Sequence, residues 1–133
     1  MASHWSALSV IAASALIAAG VVAGCRMVPA LPTGERTCLG FPPDKMRRCA
    51  DLLPAMAREL GKNLYSTDKT LKRVYFGAEP NDTPVPPEAG YYVGYLVVES
   101  LARTTALRDL ARLRASQVGP LIERELSRLA GSR

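Results

Sequence analysis

The chain begins with an uncharged apolar stretch and continues with segments whose apolar residues recur at helical spacing. No residue between positions 5 and 24 is charged. From position 44 onward, apolar residues follow one another at steps of three or four, the spacing of one face of an α-helix; they are Met46, Cys49, Leu53, Met56, Leu60 and Leu64. Because Pro54 interrupts this face, the pattern predicts either one kinked helix or two helices joined at Asp51.

The next part of the chain contains a capping cluster and a proline-rich loop. Residues 66–68 read Ser-Thr-Asp, a cluster of helix-capping residues, and predict a short helix or turn that ends near residues 74–76. Residues 79–88 contain four prolines, which predict an extended loop.

Residues 90–102 are the most distinctive segment, because only Glu99 and Ser100 within them are strongly polar. Their tyrosines and valines would suit a buried strand. Thirteen residues without a breaker, which continue into helix-favouring residues, favour a buried helix instead. Gly90 and Gly94 would then lie one turn apart and allow another element to approach closely.

The last third of the chain predicts two amphipathic helices. The first is short, and its apolar residues are Leu107, Leu110, Ala111 and Leu113. Ser116 is the expected cap of the second helix, with Pro120 in its first turn and Gly131 at its end. The expected inner face of that helix consists of Val118, Leu121, Ile122, Leu126 and Leu129, and the outer face carries Arg124 and Arg128.

These patterns predict a mainly α-helical fold, in which a small helical domain follows an N-terminal apolar helix. We expect a signal peptide or membrane anchor at residues 1–24, a tether rich in proline and glycine at residues 25–43, and the helical domain at residues 44–133. The 133-residue chain keeps 109 residues when the first 24 are removed, which is enough for one small domain.

The net charge of +5 and the isoelectric point near 9.4 favour contact with anionic surfaces, such as lipid headgroups or nucleic acid. The basic residues are spread along the chain, so we interpret them as solvated helix faces and not as one binding patch. The aromatic residues are too few, and too apolar in their context, for a base-stacking platform. Nucleic acid is therefore not an expected partner.

The apolar run ends with Val-Ala-Gly-Cys at residues 22–25. Small residues before a cysteine resemble the lipobox of bacterial lipoproteins, where a signal peptidase cleaves ahead of the cysteine. This resemblance implies that Cys25 becomes the N-terminus and carries acyl chains such as palmitate, which anchor the protein in the membrane. The expected location is the bacterial cell envelope, with a lipid-anchored protein that faces the periplasm.

The charges around the apolar run support an alternative. Twenty residues at 1.5 Å each span about 30 Å, the thickness of a hydrocarbon core. Residues 1–6 contain no Lys or Arg, whereas Arg26 follows the run. By the positive-inside rule, this arrangement favours an uncleaved helix in the inner membrane and a basic domain in the cytoplasm. His4, the only histidine of the chain, belongs to this segment in both interpretations.

Three cysteines are present, and lipidation of Cys25 would leave Cys38 and Cys49 as an even pair. In an oxidising periplasm these two residues are expected to form a disulfide. Closing so short a loop would stabilise the domain by about 2–3 kcal/mol. The alternative is that they are two unrelated thiols, with Cys49 buried as a small apolar residue.

A family resemblance is carried by residues 87–95, which read Pro-Glu-Ala-Gly-Tyr-Tyr-Val-Gly-Tyr, and by residues 107–113, which read Leu-Arg-Asp-Leu-Ala-Arg-Leu. Together with residues 64–77 and the final amphipathic helix, these stretches resemble the C-terminal end of bacterial zinc-dependent peptidases of the HExxH type. Many of those proteins are uncharacterised lipoproteins. The resemblance covers at most residues 50–130.

The chain lacks the metal-binding and catalytic residues of such a peptidase. Zinc would require two histidines at i and i+4 on one helix, with a glutamate between them as general base. No histidine follows His4, and no HExxH occurs. We therefore expect no enzyme activity, no catalytic residue, no metal site and no cofactor in this chain.

Tyr92, Tyr95 and Glu99 are the remaining candidates for a cleft, since they share a stripe at i, i+3 and i+7 of a helix. A glutamate beside two phenols could perform acid–base chemistry. The alternative is that both tyrosines bury their rings and bond nearby backbone, with Glu99 at the helix edge.

The expected function is therefore a structural or interaction role in the envelope, with the membrane as one partner through acylated Cys25 and a protein as the other. Two alternatives stay open. The chain is a fragment or subunit of a metallopeptidase whose HExxH lies on another chain, or it is an inner-membrane protein with a basic cytoplasmic domain.

Overall fold

The computed structural model of the protein describes residues 39–131. These residues form five α-helices and no β-strand. In chain order the helices are α1 (Pro43–Lys62), α2 (Lys69–Phe76), α3 (Ala89–Leu101), α4 (Leu107–Ala111) and α5 (Ala115–Gly131). The prediction of a mainly α-helical fold is confirmed for this part of the chain. The predicted signal or anchor helix lies outside the described residues.

Helix α1 is a single helix, which decides between the two interpretations of Pro54. It begins at Pro43, where a missing N–H group has no bond to lose, and Asp44 adds a favourable charge to its first turn. Pro54 removes one backbone hydrogen bond from the middle of the helix. Burial of the apolar face offsets this loss, because Met56 and Leu60 are almost completely covered.

The tether and the core meet at the start of α1. Phe41, which the sequence places in the tether, is buried in the core. The ammonium group of Lys45 lies 3.7 Å from the centre of the Phe41 ring, a cation–π contact that fixes the entry of the chain into α1. Phe41 therefore packs with the helical domain from a position ahead of α1.

Helix α2 and the loop after it form as their sequences predict. The Asp68 side chain caps α2 by accepting a hydrogen bond of 2.8 Å from the backbone N–H of Thr70. Residues 77–88 contain no helix or strand, and the N–H of Glu88 donates to the Gly77 carbonyl at 3.0 Å across the base of the loop. Residues 89–101 can therefore fold back onto α2.

Helix α3 is the centre of the domain and contacts α1, α2 and α5. The prediction of a buried helix, and not a strand, is confirmed. Nine of its thirteen residues are buried, as expected for a helix that is apolar on almost every side.

Helix α2 approaches α3 closely at Gly90. A Cβ atom at this position would lie 2.5 Å from the Phe76 ring and 2.8 Å from the Tyr75 carbonyl oxygen. The Phe76 ring also packs edge-on against Tyr91, with 5.4 Å between ring centres. The close approach predicted from the glycine spacing is thus confirmed at Gly90.

Helix α5 begins one residue before Ser116, so the prediction that Ser116 caps it is wrong. The physical reason is Gln117, whose side chain accepts a 2.9 Å hydrogen bond from the backbone N–H of Arg114 and favours an earlier start. Pro120 consequently lies beyond the first turn, inside the helix. The helix continues to Gly131, the last residue that the structure describes, so the predicted end of α5 at Gly131 stays a prediction.

The core is formed mainly by the packing of α1 against α5, with α3 alongside both. The predicted inner face of α5 is buried at four of its five positions, and Leu121 is half-buried. Glu125 lies within that face although it carries a charge, and it is 7% exposed.

Candidate functional site

The predicted lipidation and disulfide sites are only partly within the structure. Cys25 and Cys38 lie outside the described residues, so acylation and the pairing of Cys38 with Cys49 stay predictions. Cys49 is completely buried on α1 and has no disulfide partner among residues 39–131. Burial raises the pKa of its thiol, and the positive charges of Lys45 and Arg48 act in the opposite direction.

The three candidate cleft residues lie on α3 and differ in their surroundings. Tyr92 is buried in the main core. Burial raises the pKa of its hydroxyl, and the negative charge of a Cys49 thiolate would raise it further. Tyr95 is 7% exposed, and Glu99 is half-buried. Both tyrosine rings are therefore buried, whereas a role in a cleft stays a prediction.

A polar cluster of Ser100, Glu125 and Arg128, here called the Glu125 cluster, joins α3 to α5. The Ser100 hydroxyl donates to Glu125 Oε2 at 2.8 Å, and Arg128 Nε donates to the same oxygen at 2.9 Å. Arg128 Nη2 also donates to Ser100 Oγ at 3.3 Å. The buried carboxylate thus has two donors, which offset the cost of removing its charge from water.

The pKa of Glu125 reports the balance of these interactions. Burial raises the pKa of the carboxyl, but hydrogen bonds from Arg128 and Ser100 and the charges of Arg128 and Arg124 outweigh it and lower the pKa. Glu125 is therefore ionised at neutral pH. The hydrogen bond to this carboxylate fixes the orientation of the Ser100 hydroxyl.

Replacing Glu125 by glutamine is expected to destabilise the domain by about 1–3 kcal/mol, since the amide keeps the shape but loses the charge-assisted bonds. The pKa of Glu125 in the folded state is lower than the ordinary value of 4.5, which applies to the unfolded chain. The carboxylate therefore stabilises the folded state fully at pH values above 4.5. The contribution is lost as the pH falls through the lower folded-state pKa. Urea unfolding between pH 3 and pH 7 measures both effects.

The Glu125→Gln variant should consequently lose less stability than the parent protein on acidification. Glu123→Gln is the matched control, because Glu123 is exposed on the same helix. Equal acid sensitivity of Glu125→Gln and the parent would contradict the assignment of a stabilising charge to Glu125.

A second polar contact, which is partly buried, joins α1 to α2. The Tyr75 hydroxyl, which belongs to a ring that is 1% exposed, donates to Glu59 Oε2. Burial, the hydrogen bond and the negative charge of Glu59 together raise the pKa of Tyr75 far above its ordinary value. Tyr75 is thus neutral at any physiological pH, and its hydroxyl links α2 to α1 through the hydrogen bond to Glu59.

Residues 39–131 bring together no group of three or more His, Cys, Asp or Glu side chains able to hold a metal ion. Within that range, no helix is both long enough and apolar enough to cross a membrane.

A concentration of uncompensated charge lies between α3 and α5, and it was not predicted from the sequence. Residues 103–114, here called the basic segment, contain four arginines and one aspartate, a net charge of +3. The other described residues contain ten basic and ten acidic residues, a net charge of zero. The basic residues alone are evenly spread along the chain. The excess of positive charge in residues 103–114 becomes visible in the sequence only when the acidic residues of each segment are also counted.

The charged side chains of the basic segment all point to solvent; they are Arg103, Arg108, Asp109, Arg112 and Arg114. Leu110 and Leu113 pack against the core and fix the segment to the domain. The segment therefore presents guanidinium groups outward from a fixed backbone.

Comparison of the chain with protein-family models, with curated proteins and with solved structures found no match. The resemblance to the C-terminal end of zinc-dependent peptidases therefore stays a prediction that rests on the residues quoted for it.

Proposed function

We propose that the protein is a non-catalytic lipoprotein of the bacterial cell envelope, anchored through acyl chains on Cys25 and with a structural or interaction role. The observation that carries this proposal is the uncharged run of residues 5–24, which ends with Val-Ala-Gly directly before Cys25. Cleavage at this point would leave a tether and the helical domain on the outer side of the inner membrane.

The polar contacts of the domain support a structural role. The Glu125 cluster and the Tyr75–Glu59 pair each join two helices, and their polar atoms bond one another. Among the described residues, no buried side-chain nitrogen or oxygen lacks a hydrogen-bond partner. Polar groups that are used in this way stabilise the helix arrangement.

The uncleaved anchor is the second candidate, and it is supported by the absence of Lys and Arg from residues 1–6 and by Arg26 after the apolar run. In that case the domain faces the cytoplasm. A subunit role in a metallopeptidase depends on the family resemblance and requires a partner chain that supplies HExxH.

The Cys25→Ser variant is expected to accumulate as a precursor, because the lipoprotein peptidase needs the acylated cysteine. The native protein should instead have the mass of residues 25–133 with acyl chains added. Intact-mass measurement on protein extracted from membranes checks both expectations.

Cys38→Ser is the matched control, since it removes a cysteine outside the lipobox and should be processed like the parent protein. A native protein of full-length mass, with Met1 or Ala2 at its N-terminus, would refute the cleaved lipoprotein and favour the uncleaved anchor.

A further inference from the structure

We propose that the basic segment, residues 103–114, binds the surface of a membrane that contains anionic lipids. The proposal goes beyond anchoring through Cys25, because it assigns a second contact between the domain and the lipid headgroups. It applies to either way of anchoring and so does not depend on cleavage before Cys25.

The distribution of charge is the first argument. The basic segment carries a net charge of +3, and the rest of the described chain is neutral. The negative surface potential of anionic lipids attracts a cluster of basic residues. Because salt screens this potential within about 10 Å, the attraction acts only on a domain that is held close to the membrane. A domain tethered to the membrane by its N-terminal part satisfies this condition.

The state of the guanidinium groups is the second argument. Elsewhere in the described chain, Arg48 donates to the Pro84 carbonyl, Arg58 donates to the Ala130 carbonyl, and Arg128 is bonded to Glu125. By contrast, no ion pair or hydrogen bond within residues 39–131 involves the guanidinium groups of the four arginines in the basic segment. These four guanidinium groups therefore do not hold the described helices together.

The chemistry of arginine is the third argument. A guanidinium group presents its N–H donors in a planar fork that fits two phosphate oxygens, and it loses less hydration than an ammonium group on contact. All four basic residues of the segment are arginines, whereas lysines occur in α1 and α2. Phospholipid headgroups supply the matching phosphates.

A lipid surface fits the segment better than nucleic acid does. No aromatic residue occurs in the basic segment, so it offers no ring on which a base could stack. Leu110 and Leu113 face the core, so insertion into the acyl chains is not expected. The contact is therefore electrostatic and limited to the headgroups.

Energy transfer from tryptophan to dansyl-labelled headgroups tests the proposal on the full chain in vesicles. Trp5, the only tryptophan, is replaced by phenylalanine, and Ala111→Trp places a donor in the exposed surface of the segment. We expect more transfer in phosphatidylglycerol vesicles than in phosphatidylcholine vesicles. The difference should disappear in 1 M NaCl.

The difference should also disappear when Arg103, Arg108, Arg112 and Arg114 are all replaced by glutamine. The matched control removes four exposed basic residues elsewhere, namely Arg47, Lys62, Lys69 and Arg73, and should retain it. A donor at the exposed Tyr65, introduced as Tyr65→Trp, should show less dependence on lipid charge. Circular dichroism of each variant confirms that the helices are retained.

Equal transfer in the two lipids would overturn the proposal, and so would equal loss in the two fourfold variants or equal lipid dependence at Tyr65→Trp. Arginine-dependent binding of duplex DNA without any lipid dependence would assign the segment to nucleic acid instead. The mass of the same preparation reports on acylation of Cys25, so failure of the surface contact and failure of the lipid anchor are separate results.

Discussion

Replacing Val97 by aspartate is expected to unfold the helical domain. Val97 is 0% exposed and lies in the core on α3. Aspartate would lose the apolar burial of valine, about 1.5–3 kcal/mol, and would add a carboxyl group with no partner, which costs several kcal/mol more. The total approaches the whole stability of a small domain, about 5–15 kcal/mol. Urea titration followed by circular dichroism should show no cooperative transition.

Arg124→Ala is the control for this prediction, because Arg124 is exposed on α5 and a surface substitution changes stability by about 0.5 kcal/mol or less. If Val97→Asp left the unfolding transition unchanged, α3 would be an exposed surface. The central position of that helix in the domain would then be wrong.

Gly90→Ala is expected to destabilise the domain by about 1–3 kcal/mol, although alanine normally favours a helix over glycine. The added Cβ would lie 2.5 Å from the Phe76 ring and 2.8 Å from the Tyr75 carbonyl oxygen. The ring can turn, but the carbonyl belongs to the backbone of α2. The two helices must therefore separate, and thermal unfolding measures the loss.

Gly61→Ala is the matched control with the opposite expected sign. A Cβ at this position would lie 3.7 Å from Leu126 Cβ, an ordinary contact, and Gly61 is within α1. We expect a gain of about 0.5–1 kcal/mol from helix propensity and reduced freedom of the unfolded chain. Equal effects of the two alanines would contradict the close approach at Gly90.

Much of the fold was predictable because the signals were local. The predicted apolar face is buried on α1 at Cys49, Met56 and Leu60, and Leu64 is buried just beyond the end of that helix. The cap of α2 was predicted from the Ser-Thr-Asp cluster, and Asp68 forms it. Each of these features depends on residues within one or two turns of one another.

Periodicity did not predict the start of α5, which a single side chain shifted, or the core residue that lies ahead of the first helix. Gln117 bonds the N–H of Arg114 and starts α5 ahead of Ser116. Phe41 packs in the core from a position ahead of the first helix, where helical periodicity gives no signal. Glu125 falls on the apolar stripe of α5, so its burial was detectable from the periodicity.

Local features of the chain and contacts between distant helices differ in how far the sequence predicts them. The sequence by itself determined the positions of the helices, their inner faces and the apolar run before Cys25, because the 3.6-residue period and runs of uncharged residues are local properties. Only the tertiary structure decided that Ser100, 25 residues from Glu125, donates to it, that Tyr75 bonds Glu59, and that the Phe76 ring covers Gly90. Those pairings depend on how helices distant in the chain pack together, and helical periodicity specifies a face without specifying its partner.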